Sequence, residues 1–430
     1  MRVQDHIGLI SWSLADKALF ILYGFVLIVI MNYTVPAEFG LYSLLIGLHT
    51  WIFTISDSFS LQSLIQFGMN ERNRGKVNLI ALVSHLSLTL GISLLVFVLR
   101  YSLAGLFDES RILDIASFLP VLSLAFIPRT YSQKIIYRIQ NMFYLFLTNL
   151  TFFGTMAALI FIKISSVKFL TFNDLAYIYL YGSMASSAVA LVLIRKELIF
   201  TRTGDIGWRQ VYNFSWKMTL ANIMYSLPRQ LDVFFVKIFF SLNEVGFYAA
   251  AKNIFRVFDE ALGAVNGIIY PEAVKLLDKK NYKDFSLLAT KSLSFLFVSF
   301  FFAVVILYFG LADIIFNWIL PERFMQSLVF FKVILLAALF LPFQMLFLFI
   351  ISKNRLNILL FYYLIGLLVF TITIVIIGYG GFLTYMPIAL VSYYGVMSIL
   401  VYLDSIKNLK LKLKDLFRSI LDTKDFFIKN

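Results

Sequence analysis

Several ionisable residues lie within long apolar stretches of the sequence, where a charged side chain is costly. Arg229 and Asp232 are three residues apart, so on a helix they share one face and can form an ion pair. Lys252, Arg256 and Glu260 follow at four-residue intervals and predict one charged stripe along a helix. Because a lipid-facing stripe would be prohibitive, we expect it to face a hydrated cavity. A cationic cavity suits an anionic ligand, and phosphate or diphosphate fits best because arginine forms forked, charge-assisted hydrogen bonds with it.

Two further basic residues belong to the same class. Arg129 follows Pro128, where the proline weakens the backbone hydrogen bonds and can bend the helix. Lys17 is preceded by Asp16, and adjacent residues on a helix point in different directions, so we do not expect these two to pair. The alternative for each of these residues is an ion pair between membrane helices that binds no ligand.

The composition indicates which elements must hold these residues. Hydrophobic residues make up 60% of the 430 and charged residues 14%, whereas a soluble domain has about 45–50% and about 25%. About twelve helices of roughly 20 residues would use most of the apolar residues. We predict an all-α, polytopic transmembrane protein with spans at 10–32, 41–66, 77–99, 112–133, 142–163, 175–194, 216–240, 246–270, 286–309, 328–352, 356–378 and 382–403.

The basic residues predict the orientation of these spans. With the N-terminus in the cytoplasm, Lys and Arg are about five times as frequent in the cytoplasmic segments as in the opposite loops. This count places Lys134 and Arg138 in a cytoplasmic segment. It also explains the formal net charge of +13 without nucleic acid, because the basic residues face the anionic leaflet. We expect both termini in the cytoplasm and opposite loops of at most about 18 residues.

A weak internal repeat divides the predicted spans into two halves. Glu38-Phe39-Gly40-Leu41-Tyr42 follows the first span, and Glu244-Val245-Gly246-Phe247-Tyr248 follows the seventh. We expect the glycines in tight external turns and the tyrosines at the headgroup level. The predicted domains are a six-helix lobe at 1–194, a cytoplasmic linker at 195–215, a second six-helix lobe at 216–403 and a basic tail at 404–430, with the lobes parallel and pseudo-symmetric around a central cavity.

Several kinds of chemistry have no visible residues in the sequence. There is no cysteine, which excludes disulfides and thiolate metal sites. Gly75-Lys76 lacks the remainder of a phosphate-binding loop, and there is no Asp-x-Asp pair for a nucleotide-sugar transferase. His6, His49 and His85 are scattered. We therefore assign no catalytic residues, no metal and no cofactor.

The chain resembles the polysaccharide-biosynthesis flippases of the O-antigen type, within the multidrug/oligosaccharidyl-lipid/polysaccharide exporter superfamily. Pro36-Ala37-Glu38-Phe39-Gly40-Leu41-Tyr42 carries the resemblance, together with Asp232, the second copy at 244–248 and the six-plus-six layout. The resemblance implies a bacterial inner-membrane protein, not an enzyme, that flips undecaprenyl-diphosphate-linked oligosaccharide to the periplasmic leaflet by alternating access. It also implies membrane lipids, glycosyltransferases and a glycan polymerase as partners, and no nucleic acid.

The resemblance also implies roles for the charged residues in the spans. Members of this group use cationic cavity residues for the anionic carrier, and the candidates here, by type and depth, are Lys17, Arg129, Arg229, Lys252 and Arg256. Asp57 or Asp232 could couple transport to a proton or cation gradient.

Three other functions stay open. A multidrug or cation antiporter of the same superfamily would favour an acidic cavity, which the basic bias disfavours. A membrane-embedded polysaccharide polymerase would carry a large external loop with catalytic charges, and the short predicted loops disfavour it. A scaffold without transport activity leaves the cavity charges unexplained.

Overall fold

The computed structural model describes residues 7–353 and 355–409, and all regular secondary structure in these residues is helical. Most of the predicted basic tail, residues 410–430, lies outside the described residues, as does His6. The chain divides into two compact units, with the boundary after Ala249.

Ten helices belong wholly to the first unit: α1 (Ile7–Asn32), α2 (Pro36–Ser56), α3 (Gln62–Gln66), α4 (Glu71–Val98), α5 (Arg100–Leu106), α6 (Ile112–Arg138), α7 (Met142–Ile164), α8 (Phe172–Leu193), α9 (Trp208–Gln230) and α10 (Asp232–Phe239). A π-helical turn, Asp57–Leu61, joins α2 to α3, and a 3₁₀ turn, Arg195–Glu197, follows α8. The next helix, α11 (Leu242–Asp278), begins in the first unit and continues into the second.

The second unit continues with shorter and more broken helices: α12 (Tyr282–Ile306), α13 (Ala312–Ile319), α14 (Ser327–Ile334), α15 (Leu341–Gln344), α16 (Leu346–Ser352), α17 (Leu356–Tyr379) and α18 (Ile388–Leu409). A π-helical turn at Leu307–Leu311 and 3₁₀ turns at Glu322–Phe324, Leu335–Leu339 and Leu383–Tyr385 interrupt them.

Side-chain caps fix the starts of several helices. The side chains of Asn70 and Asn141 accept hydrogen bonds from backbone amides in the first turns of α4 and α7. Thr171 and Asp174 form a reciprocal capping box at the start of α8. Such caps satisfy amide donors that have no partner within the helix, which matters most where little water is present.

The membrane-spanning capacity of the helices is smaller than the sequence predicts. In the described ranges, nine helices are long and apolar enough to cross a membrane, or ten when a pair bent by 45° between Ser327 and Ser352 counts as one span. The two predicted spans without a counterpart are 216–240 and 246–270. Both are helical, but the first is broken at Leu231, and the second lies in α11 with its four charged residues between Lys252 and Glu260.

The end of α6 differs from the prediction. This helix continues to Arg138 and stays a single membrane-spanning candidate over its whole length, despite Pro120 and Pro128. The predicted span ended at residue 133, whereas the helix continues through Lys134 and Arg138; their placement on the cytoplasmic side stays a prediction. Both residues are helical and largely buried.

The division into compact units falls after Ala249, and the linker predicted at 195–215 stays a prediction. Helices α9 and α10 pack against α2 and therefore belong to the first unit. The assignment of six helices to each lobe stays a prediction.

An apolar core in the first unit joins the elements that surround α6. It consists of buried side chains from α3 and its π-helical turn, α4, α6, α7 and the end of α8: Leu61, Leu64, Val77, Ala81, Tyr131, Ile135, Ile136, Leu145 and Ile194. This core fixes the C-terminal half of α6, which carries Arg129, Thr130, Lys134 and Arg138.

The two copies of the repeated motif contact each other. Gly40 lies in the first turns of α2 and Gly246 in the first turns of α11, and the two helices approach backbone to backbone. A Cβ on Gly246 would overlap the carbonyl oxygen of Pro36, and one on Gly40 would lie 2.9 Å from the amide nitrogen of Gly246. The prediction of external turns was therefore wrong: the glycines permit close helix packing.

The remaining motif residues fix the same region. Tyr42 and Tyr248 are buried and do not act as headgroup anchors; the hydroxyl of Tyr248 donates a 2.6 Å hydrogen bond to Asp232. Glu38 accepts hydrogen bonds of 2.6 and 3.0 Å from the guanidinium of Arg111 and one of 2.6 Å from the amide of Phe172. The hydrogen bond with Glu38 raises the pKa of Arg111 above its usual range. The motif thus holds together the starts of α2, α6, α8 and α11.

Gly246→Ala tests the close contact. The added methyl group must push α11 away from Pro36, and overpacking of this kind typically costs about 1–3 kcal/mol. We expect a lower unfolding temperature in detergent. Gly263→Ala is the matched control, because this residue lies on the same helix with open space around its Cα. The control should gain up to about 1 kcal/mol from helix propensity. Equal unfolding temperatures for the two variants would contradict the contact.

Candidate functional site

Helix α6 carries a series of polar side chains after Pro128, and each one meets a different neighbour. Arg129 reaches α7 and α8, Thr130 reaches α4, and Lys134 reaches the π-helical turn after α2. Arg138, at the end of the helix, reaches α4 and the segment after α8. Because an unpaired polar group inside a membrane costs several kcal/mol, these contacts define how the helices of the first unit pack around α6.

Arg129 is buried and held by uncharged side chains. Its Nε donates to the Ser186 hydroxyl at 3.0 Å, and its Nη2 donates to the Asn149 carbonyl oxygen at 2.6 Å. The guanidinium carbon lies 4.8 and 4.5 Å from the ring centroids of Phe126 and Phe152. Among the described residues, no hydrogen bond forms at the third nitrogen, Nη1.

The carboxylate that balances the charge of Arg129 contacts Asn149, and Asn149 in turn contacts Arg129. The amide nitrogen of Asn149 donates a 2.6 Å hydrogen bond to the buried carboxylate of Asp16 on α1. Gln133 adds a second donor, 2.8 Å from the Asn149 oxygen. Asp16 and Arg129 are therefore linked through Asn149, without direct contact. Lys17, the next residue, is exposed with its ammonium 5.6 Å from the Phe20 ring centroid, so the prediction that these neighbours point apart is confirmed.

Asp57 begins the π-helical turn between α2 and α3 and forms an ion pair with α6. Its Oδ2 accepts hydrogen bonds from the Lys134 ammonium at 2.9 Å and from the Gln62 amide at 3.1 Å. π-Helical turns are rare and often occur at functional sites, because they shift the side chains that follow out of helical register. Here the turn presents the Asp57 carboxylate to Lys134.

His85 on α4 also links α2 to α6, through contacts with two hydroxyl groups. Its Nδ1 lies 2.6 Å from the Ser56 hydroxyl, and its Nε2 lies 2.8 Å from the Thr130 hydroxyl. Ser56 precedes Asp57, and Thr130 lies one helical turn before Lys134. The buried imidazole on α4 therefore fixes the residue before Asp57 and a residue one turn before Lys134.

Arg138 fixes the segment that follows α8. Its Nη1 donates to the Asn78 side chain at 2.7 Å and its Nη2 to the Glu197 carboxylate at 3.3 Å. The amide of Asn78 in turn donates to the backbone carbonyls of Glu197 and Ile199, at 2.9 and 3.0 Å. The beginning of the predicted linker is thus bound to α4 and α6.

The other candidates in the first unit lie near the break between α9 and α10. Asp232 is the first residue of α10, is buried, and accepts the hydroxyl of Tyr248. Arg229 lies in the last turn of α9, half-buried, hydrogen-bonded to the Tyr225 hydroxyl and with its guanidinium 4.9 Å from the centroid of that ring.

Lys252 and Arg256 belong to the second unit. Lys252 is half-buried on α11. Arg256 forms hydrogen bonds of 3.2 and 3.1 Å with Glu260 one turn further along, and 38% of its side chain stays exposed. The charged stripe predicted on this helix therefore contains an internal ion pair. The assignment of these cations to substrate binding stays a prediction.

Sequence reasoning missed Lys134, Asn149 and His85. Lys134 was counted in a cytoplasmic segment because the predicted span ended one residue earlier, and the continuation of one helix through Arg129, Gln133 and Lys134 was the available signal. Asn149 and His85 carry no charge and gave no signal as single residues. In residues 7–353 and 355–409, no group of three or more metal-ligating side chains is close enough to hold a metal ion.

Paired substitutions test the link from Asp16 to Arg129. Asp16→Asn leaves the buried guanidinium without a balancing charge, and breaking a buried pair costs on the order of 3 kcal/mol. Arg129→Gln should cost a similar amount. The double variant is electrically neutral, and we expect it to be more stable than the sum of the single effects predicts. Unfolding in detergent measures all three, and additive losses would show that the two charges do not interact.

Comparison with known proteins supplies the family. Residues 10–277 match the family model described as polysaccharide biosynthesis protein. No curated protein matches the chain.

Solved structures share the fold at low sequence identity. The lipid II flippase MurJ in an inward closed conformation has a TM-score of 0.73 at 13% identity, with 98% of this chain and 93% of that chain covered. An inward-facing MATE family multidrug resistance transporter of the MOP superfamily has a TM-score of 0.66 at 13% identity, covering 94% and 96%. A MOP superfamily transporter from Pyrococcus furiosus has a TM-score of 0.58 at 15% identity, covering 94% and 93%. The chain has the fold of MOP superfamily transporters, and it belongs to the polysaccharide biosynthesis protein family.

Proposed function

We propose that this protein is a flippase that moves an undecaprenyl-diphosphate-linked oligosaccharide from the cytoplasmic to the periplasmic leaflet of a bacterial inner membrane. Transport proceeds by alternating access and serves surface polysaccharide biosynthesis. The family assignment and the fold in common with a lipid II flippase support this proposal.

The observation that carries the proposal is the state of Arg129. An intramembrane guanidinium normally requires a close carboxylate, yet Arg129 is held by Ser186, Asn149 and two aromatic rings. A network of this kind fixes the guanidinium in place, and among the described residues Nη1 has no acceptor, so it keeps the capacity to donate to an anion. Phosphate oxygens form stronger bonds with a guanidinium than neutral acceptors do, because both partners are charged.

The acidic residues of the first unit argue against a cationic drug as the substrate. Asp16 accepts the Asn149 amide, Asp57 is paired with Lys134, and Asp232 accepts the Tyr248 hydroxyl. Of these three carboxylates, Asp57 already has a cationic partner, and Asp16 and Asp232 are buried. The multidrug antiporter is therefore the second candidate.

A polymerase needs a catalytic segment that the described loops are too short to supply. Residues 107–111 join α5 to α6 and residues 165–171 join α7 to α8, and both segments lie on the predicted periplasmic side. A transporter that carries no catalytic loop is the better fit, and we propose no enzymatic activity.

The substrate assignment predicts that Arg229→Ala and Arg256→Ala abolish glycan export while membrane insertion is unchanged. Loss of a hydrogen-bonded charged group typically costs about 1.5–3 kcal/mol, or roughly a tenfold or larger loss of binding. Surface polysaccharide in a strain that lacks the chromosomal copy is the readout, with protein level in the membrane fraction measured in parallel.

Lys291→Ala is the control for this experiment, because Lys291 is an exposed cation on α12. It should support normal export. Normal surface polysaccharide in both arginine variants would contradict the assignment of these cations to the substrate.

A further inference from the structure

The ion pair between Asp57 and Lys134 differs from the network around Arg129 in its exposure. The side chain of Asp57 is 33% exposed and that of Lys134 is 15% exposed, whereas Arg129 and Asp16 are both buried. Lys134 also has a direct carboxylate partner and the flexible four-carbon stem of a lysine. Its ammonium can therefore change partner without a movement of the backbone.

Neutral contacts hold the surrounding helices in place independently of this ion pair. His85 binds the hydroxyls of Ser56 and Thr130, on either side of the pair. On α9, Asn222 donates a 2.6 Å hydrogen bond to Ser58, in the π-helical turn itself. None of these bonds involves Asp57 or Lys134, so the contacts between the helices do not depend on the ion pair alone.

We propose that Lys134 is a headgroup-binding residue that Asp57 holds in the absence of substrate, and that its ammonium exchanges the Asp57 carboxylate for a diphosphate oxygen. This inference rests on the flippase function proposed above. The exchange is favourable because diphosphate carries more negative charge than a carboxylate and offers several acceptor oxygens to a compact ammonium. Asp57 is thus a positioning residue, and Lys134 touches the substrate.

The exchange leaves Asp57 without its cationic partner, and we expect a monovalent cation, either a proton or Na⁺, to neutralise it. The ionisable groups around the ion pair are Tyr137 on α6, which interacts with Asp57, and His85 on α4, which interacts with Lys134. Gln62 of α3, which is neutral, donates a hydrogen bond to Asp57. From α9, Asn222 and Tyr212 contact other residues of the same π-helical turn. Among these groups, Asp57 is the carboxylate that loses its cationic partner in the exchange.

Binding of labelled farnesyl diphosphate to the purified full-length protein in detergent tests this proposal. Asp57→Asn releases Lys134 and should tighten binding about threefold or more, the effect expected for removal of a partly exposed ion pair. Lys134→Gln should weaken binding by roughly tenfold. The double variant should match Lys134→Gln, because Asp57 acts only through Lys134.

A matched ion pair in the second unit provides the control. Lys332 and Asp313 also form a direct, partly exposed ion pair, 2.8 Å apart and somewhat more exposed than Lys134 and Asp57, and Asp313→Asn and Lys332→Gln should leave binding unchanged. Unfolding temperatures of all variants separate a loss of folding from a loss of binding. Weaker or unchanged binding by a folded Asp57→Asn variant would overturn the proposal.

Two further sets of binding measurements test the counter-ion and the ligand class. Binding to the wild-type protein should strengthen at lower pH if a proton neutralises Asp57, or with NaCl in place of choline chloride if Na⁺ does so, and Asp57→Asn should lose that dependence. Dependence on neither cation would overturn the counter-ion step. If the wild type binds farnesyl diphosphate no better than farnesol, the flippase proposal itself fails, and this inference fails with it.

Discussion

A charge inside a bilayer must be balanced, and three such links in the first unit run through one helix, α6. Asp16 on α1 reaches Arg129 of α6 through Asn149, Asp57 pairs with Lys134 of α6, and Glu197 pairs with Arg138 at its end. Because each unpaired charge would cost several kcal/mol, the three links determine which faces of α1, α2, α4, α7 and α8 can pack on α6. The apolar core adds contact area around an arrangement that the polar groups specify.

The links differ in how much they leave available for function. The contacts of Arg129 with Asn149 and Ser186 are buried and made with neutral groups, so they position a guanidinium and satisfy only part of its hydrogen-bonding capacity. The pair of Asp57 and Lys134 is direct and partly exposed, so it can be replaced by a stronger anion. Arg129 is thus a fixed cation and Lys134 a releasable one, and both kinds of side chain bind phosphate groups.

The sequence predicted the class of fold well because hydrophobic length is a local property. Spans such as 142–163 and 356–378 correspond closely to α7 and α17. The same reasoning failed at 216–240, where Leu231 breaks the helix, and at Gly40 and Gly246, which looked like turn residues and instead pack helix on helix. Asn149 joins α1 to α6 over more than 100 residues of sequence, and no pattern in a single sequence encodes such a contact. Local periodicity predicts elements, whereas the site depends on pairings between distant elements.

Transport in reconstituted vesicles can show whether the protein moves a diphosphate-linked lipid across a bilayer. A fluorescent oligosaccharide linked to a polyprenyl diphosphate is placed in both leaflets of proteoliposomes, and a membrane-impermeant quencher reports how much of it reaches the outer leaflet. We expect protein-dependent movement of the diphosphate-linked lipid and little movement of an otherwise identical glycolipid that lacks phosphate. The reason is that the proposed intramembrane cations bind the phosphorylated group. Equal movement of both lipids, or no protein-dependent movement of either, would contradict it.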